Sequence, residues 1–298
     1  MEELKLDLET SWVFDDWRKT TNTGIEFASS LRFTDFVAGV VDGVVTRNGK
    51  RTYGVYEPYT PAYGLEDRKE YAEHSHRMAV HLMAFIYKKR KYLKDCYNLL
   101  EYAARVQPKS ILLNIEGPGL RGNGATQDEY EEFFVTLSNG LRGVCSLGVV
   151  VIPPFPKQLI FALEDDLIDY VILEAYSFWK KPWSENHWSH SDKMFPGDFQ
   201  RNVVEDFLKL CTDLGFDEEF VLSEILNVGL ANYDMDRPQT KKKPATTQKE
   251  TFELCVDAVR ECGVRNISVW SEKHFKGCSD ERVERRKLFT DLNATIGR

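Results

Sequence analysis

The sequence predicts a closed (β/α)8 barrel. Apolar runs of strand length alternate with amphipathic helical segments along the chain. Those runs are apolar at nearly every position, as strands covered on both faces require. The length of 298 residues also suits one such barrel. An open doubly wound sheet is the alternative arrangement of the same elements. No Gly/Ser or Pro-rich linker, low-complexity stretch or repeat divides the chain, so residues 1–298 are expected to form a single domain.

Eight strand–helix units account for the sequence in order. The first is SWVFDDW at 11–17 with a helix near 25–32, and the second is FVAGVVDGVV at 36–45 with a helix from about Glu66. LMAFIY at 82–87 is the third strand. Its helix runs to Val106 with Leu93, Cys96, Leu100 and Ala103 on one face, and Pro108 breaks it. ILLNIE at 111–116 is the fourth strand. Thr126 and Glu129 then have the spacing of a capping box, opening a helix with Tyr130, Phe133, Phe134, Leu137 and Leu141 in register.

CSLGVVVI at 145–152 is the fifth strand, followed by a short helix to about Asp166. DYVILEAY at 169–176 is the sixth, and a long loop leads to a helix from about Asp198 to Leu214, stopped by Gly215. FVLSEILNV at 220–228 is read as the seventh strand. Beyond the loop holding Lys241, Lys242 and Lys243, Thr247 and Glu250 form a second capping box, and that helix stops at Gly263. NISVW at 266–270 is the last strand, and a helix from about Asp280 closes the chain.

Composition narrows the partners. A net charge of −8 and a pI near 5.4 repel phosphate backbones, so neither nucleic acid nor an anionic membrane is expected. The acidic start MEELKLDLET has no apolar core of a signal peptide. The longest apolar stretch, 144–155, is broken by Ser146, Pro153 and Pro154, short of the ~18 residues of a membrane span. A cytoplasmic location is the default expectation. Cys96, Cys145, Cys211, Cys255, Cys262 and Cys278 are scattered without a C-x-x-C pair, which points to reduced thiols.

In a β/α barrel the working residues sit at the C-terminal ends of the strands. Strand four ends Asn114-Ile115-Glu116, strand six Glu174-Ala175-Tyr176, and strand eight at Trp270; the seventh run holds Glu224. Residues two apart share a face of a strand, which pairs Asn114 with Glu116 and Glu174 with Tyr176. Converging carboxyls suit glycoside cleavage, because crowding or burial keeps one of them protonated to serve the leaving oxygen. Trp270 and the loop with Phe178, Trp179, Trp183 and Trp188 offer flat faces for sugar rings. Taken singly, each feature has an ordinary reading as a salt-bridge partner, a core aromatic or a loop anchor.

Together, KSILLNIE (109–116), EAYS (174–177) and SVW (268–270) resemble strands four, six and eight of the family 18 glycoside hydrolases, the chitinase-like barrels. That family ends strand four in D-x-x-D-x-D-x-E, strand six in M-x-Y-D or M-x-Y-N, and strand eight in Trp. Residues 215–234 resemble its run into strand seven, and the likeness spans roughly 80–275. Lys109, Leu112 and Asn114 stand where the family has acids, and Asn-x-Glu is similar instead to family 85, the endo-β-N-acetylglucosaminidases. The resemblance implies that Glu116 is general acid and then base. It implies that Asn114 orients a substrate 2-acetamido group, which attacks the anomeric carbon, and that Tyr176 hydrogen-bonds the acetamide oxygen. Trp270 would floor the sugar site. Glu174 replaces the family's Met, and Ser177 its Asp or Asn.

The expected ligand is thus an oligosaccharide or polysaccharide with β-linked N-acetylhexosamine, handled without cofactor or metal. Two alternatives stand: a chitinase-like barrel that binds sugar without catalysis, and a retaining glycosidase using Glu116 and Glu224. A barrel with polar rim residues by chance is a third. Gly117, Gly119 and Gly122 spell G-x-G-x-x-G, but the helix start at Thr126 comes too late for a dinucleotide site. His74 with His76, and His187 with His190, have no third ligand nearby in sequence, and no nucleophile elbow exists.

Overall fold

A computed structural model describes residues 10–14, 35–41, 45–47, 50–52, 68–69, 72, 79–85, 92–114, 126–153, 155, 157–175, 197–231 and 248–270. Eight strands carry the barrel: β1 (Thr10–Phe14), β2 (Asp35–Val41), β3 (Ala79–Phe85), β4 (Ser110–Asn114), β5 (Ser146–Val151), β6 (Tyr170–Glu174), β7 (Leu226–Ala231) and β8 (Asn266–Trp270). Each pairs in parallel with its neighbours in sequence, and β1 pairs with β8, so the sheet closes and leaves no edge. The closed (β/α)8 expectation holds, and the open sheet is set aside.

The described helices are α1 (Tyr92–Val106), α2 (Gln127–Leu141), α3 (Lys157–Glu164), α4 (Asp198–Asp213), α5 (Glu218–Phe220) and α6 (Gln248–Glu261). They pack on the outside of the sheet through alternate strand residues. Ile111 and Leu113 of β4, Val171 and Leu173 of β6, and Val228 and Leu230 of β7 join one apolar cluster with Phe133, Phe134, Phe207 and Val259 from the helices.

Several elements match their sequence signals. Tyr130, Phe133, Phe134, Leu137 and Leu141 are the buried face of α2, and Phe133 and Phe134 meet edge to face. Thr126 Oγ1 accepts from the Glu129 N–H (3.2 Å), and Glu129 Oε2 accepts from the Thr126 N–H (2.8 Å), which makes the capping box. Thr126→Ala is therefore expected to cost about 1 kcal/mol, read as a shift in the urea unfolding midpoint. Gly215 and Gly263, with φ of +92° and +82°, follow α4 and α6 as left-handed stops.

Other boundaries differ. The second run ends at Val41, and Val45–Arg47 instead pairs antiparallel with Lys50–Thr52 as a separate hairpin. β3 begins at Ala79, three residues earlier than its apolar run, and so includes His81. Among the side chains of α1 that are described, Cys96, Leu99, Tyr102, Ala103 and Val106 are buried and Leu100 is half-buried at the margin, while the side chain of Leu93 lies outside them.

The largest correction concerns 220–225. Asp217 caps α5 by accepting the Phe220 N–H, and Val221–Ile225 continues as a π-helical turn before β7 starts at Leu226. Val221, Leu222 and Ile225 are buried at helical spacing, while Glu224 is exposed.

The helices expected near 25–32 and after 280, the second capping box's Thr247, the loop lysines, His74, His76, His187, His190, Cys278 and the three loop glycines lie outside the described residues. Cys96, Cys145, Cys211, Cys255 and Cys262 form no disulfide, and burial pushes the thiols of Cys145 and Cys211 up to about 12. No described helix is long and apolar enough to cross a membrane.

Candidate functional site

Alternation along the strands decides which residues line the lumen. With Leu226, Val228 and Leu230 facing the helices, Asn227 and Gly229 face inward, as do Ser268 on β8 and Ile172 and Glu174 on β6. The backbone register then brings three candidate positions to the C-terminal end. Asn114 closes β4 opposite Phe85 and Val150, Glu174 closes β6 opposite Gly229, and Trp270 closes β8 opposite Phe14 and Ala231. Trp270 stands at the same alternate position as Ser268.

Glu174 is 2% exposed, an uncommon setting for a carboxyl. Below this mouth of the barrel, Ser268 (0% exposed) and Asn227 (3% exposed) are buried, and neither the hydroxyl nor the amide finds a hydrogen-bond partner among the described residues. Gly229, between Glu174 and Ser268 in register, adds no side chain.

The chain leaving β6 is held by one buried side chain. Gln200 Nε2 donates to the Ala175 carbonyl (2.8 Å), and its Oε1 accepts from the Gly197 N–H (3.0 Å). Ala175 N–H also donates to the Gly229 carbonyl (2.9 Å). Both ends of the segment containing Tyr176, Trp179, Trp183 and Trp188 are thus tied to α4. Gly197 has φ +97°, and a Cβ there would lie 2.9 Å from the Leu254 carbonyl oxygen, so that end fits only glycine.

Of the sequence-derived site residues, Asn114, Glu174 and Trp270 share the C-terminal end of the barrel. Glu116, Tyr176 and Trp179 lie outside the described residues, as does Ser177. Glu224 does not join the mouth. It is exposed on the helical turn before β7, at the N-terminal end of that strand, so the reading that paired it with Glu116 has no geometric basis. Among the described residues no cluster of three or more His, Cys, Asp or Glu could hold a metal.

A polar assembly that the sequence did not announce crosses the opposite end of the lumen. Asp35, Ser110 and Tyr170 are the first residues of β2, β4 and β6. His81 Nε2 lies 2.7 Å from Asp35 Oδ1 and its Nδ1 lies 2.6 Å from Ser110 Oγ, which in turn bonds the Tyr170 hydroxyl. Burial lowers the His81 pKa below its ordinary value against the opposing pull of Asp35, and Lys109 lowers it further. Burial also holds the Tyr170 phenol well above its usual range. The signal for such residues is a single polar position in an apolar run at strand spacing, seen at Ser110, His81, Asn227 and Ser268.

Comparison with solved structures supports the architecture. No family model matches the sequence, and no characterised protein matches it at a significant level. A glycoside hydrolase family 18 chitinase from Pseudoalteromonas aurantia superposes over 96% of this chain and 100% of its own, with a TM-score of 0.56 and 12% identity. A chitinase from Rhizomucor miehei does so over 95% and 100%, with a TM-score of 0.55 and 12% identity. A glucosidase from Croceicoccus marinus covers 91% of this chain and 63% of its own, with a TM-score of 0.59 and 10% identity. At these identities the likeness is one of fold alone, the (β/α)8 barrel.

Proposed function

We propose that this chain is a glycoside hydrolase acting on glycans with β-linked N-acetylhexosamine, with Glu116 as general acid and then base. The observation that carries this reading is the common barrel end reached by Asn114, Glu174 and Trp270, on strands four, six and eight.

In this mechanism Glu116, two residues beyond Asn114 in sequence, protonates the departing glycosidic oxygen. Asn114 holds the substrate's 2-acetamido group, whose carbonyl oxygen attacks the anomeric carbon from the opposite side. Tyr176 hydrogen-bonds that acetamide, Trp270 lies beneath the ring, and Trp179 contributes a further stacking face. Glu116, now ionised, then takes a proton from the water that opens the cyclic intermediate. The buried carboxyl of Glu174 supplies a polar wall where the chitinase-like family has a thioether.

The test is release of reducing ends from N-acetylglucosamine oligomers and from peptidoglycan, which is expected for the intact protein and absent with glucose oligomers. A second reading, a barrel that binds sugar without cleaving it, is favoured by the fully buried Leu112 where the resembling family has an acid. It predicts saturable binding without new reducing ends at any pH. Under either reading Trp270→Ala is expected to weaken oligosaccharide binding by roughly 30-fold, about 2 kcal/mol, measured by titration calorimetry.

A further inference from the structure

The Asp35–His81–Ser110–Tyr170 assembly has no part in the chemistry at the mouth. It sits at the N-terminal base of the barrel, where polar residues serve the scaffold. It also departs from the branched apolar filling usual in such a lumen. Asp35 (7% exposed), His81 (2%) and Ser110 (1%) are buried, and Tyr170 reaches Ser110 past β5, at Gly148. A Cβ at Gly148 would stand 2.5 Å from the Tyr170 ring, so that glycine leaves the path across the lumen open.

We propose that this chain of side chains is an acid-released latch: with His81 neutral it ties β2, β3, β4 and β6 together across the barrel base, and uptake of a proton by His81 loosens that end of the barrel.

Which atoms can donate sets the direction of the chain. An ionised Asp35 only accepts, so His81 Nε2 carries a proton toward it. In a neutral ring Nδ1 then accepts, and it takes the hydroxyl proton of Ser110. Ser110 Oγ in turn accepts from the Tyr170 hydroxyl. Every link has one donor and one acceptor, and all point the same way. A second proton on His81 makes Nδ1 a donor, and both hydroxyls must turn to follow it. It also places a cation in a lumen walled by Leu112, Val37 and Ile172.

Among the described residues, the titratable and polar groups acting on the assembly are Asp35 from β2, Ser110 and the preceding Lys109 from β4, Tyr170 and the preceding Asp169 from β6, and Cys145 ahead of β5. Among the described residues Asp35 is the group that favours the charged ring, and burial outweighs it. Because the folded pKa lies below the ordinary 6.5, the unfolded chain binds the proton first as pH falls. The latch's contribution is therefore fully present above about pH 6.5 and is lost as pH drops from there through the folded value.

The experiment is nitrogen NMR of the imidazole rings from pH 7.5 to 5.0, with urea midpoints of the intact protein and His81→Gln over the same range. Gln can give its amide proton to Asp35 and accept from Ser110, but it does not titrate. His81 is expected neutral with its proton on Nε2 at pH 7.5. The wild-type midpoint is expected to fall with acid, and the variant to lose at least half of that fall. A doubly protonated ring at pH 7.5, a proton on Nδ1, or parallel midpoints in the two proteins would overturn the proposal. If His81→Gln does not fold, the wild-type ring decides alone: titration in the folded state at or above the ordinary value sinks the latch.

Discussion

Glu116→Gln is expected to lower turnover of N-acetylglucosamine oligomers by roughly 10²- to 10⁴-fold while leaving KM within a few-fold. The amide matches the carboxyl in size and can still hydrogen-bond the glycosidic oxygen, so binding is retained. What it lacks is a proton acidic enough to hand over as the bond breaks. The loss should therefore depend on the leaving group. A natural sugar departs as a poor alkoxide and needs the proton. An aryl glycoside with an acidic phenol needs much less help, so its first step should be nearly unaffected. Equal losses on both substrates would argue for general damage rather than a missing acid. Unchanged turnover on oligomers would remove Glu116 from the role.

Gly148→Ala is the largest expected effect on stability. Gly148 faces the lumen from β5, and the added methyl carbon would lie 2.5 Å from Cε2 and Cζ of Tyr170 and 2.8 Å from Cδ2 of Leu112. The ring cannot simply withdraw, because its hydroxyl is bonded to Ser110 and the surrounding residues are buried. Overpacking of this kind costs about 1–3 kcal/mol, with the upper end expected here, and should lower Tm by several degrees. Tyr170→Leu gives the control. In that background the same Gly148→Ala change should cost much less, a non-additivity that marks direct contact. Additive losses would mean that Tyr170 and residue 148 do not share this space.

The barrel was legible because its strands are short apolar runs at regular intervals, and because helix starts and stops carry local chemistry. Thr126 with Glu129, and Gly215 after α4, mark their boundaries within a few residues of sequence. Where the reading slipped, two signals competed. The segment from Val221 to Ile225 is rich in strand-favouring residues, yet its apolar positions follow helical spacing behind the Asp217 cap. His81 was passed over because a polar residue interrupts an apolar run, although a barrel strand can turn such a residue into the lumen.

The candidate site divides in the same way. Strand ends could be named from sequence, which put Asn114, Glu174 and Trp270 on one rim. Glu224 was misplaced because it inherited the strand reading of its segment. Local pattern could mark His81 and Ser110 as polar positions turned into the lumen, but not their partners. Asp35 and His81 are separated by 46 residues, His81 and Ser110 by 29, and Ser110 and Tyr170 by 60. Only closure of the sheet brings them together.

In the proposed mechanism the substrate's own acetamide is the nucleophile, working beside Glu116. Proton NMR of the first sugar released from a β-linked N-acetylglucosamine oligomer, recorded before mutarotation, reads this directly. Attack by the acetamide followed by attack of water inverts the anomeric centre twice, so the new reducing end should appear as the β-anomer. Appearance of the α-anomer, or cleavage of fully deacetylated oligomers at a comparable rate, would contradict it.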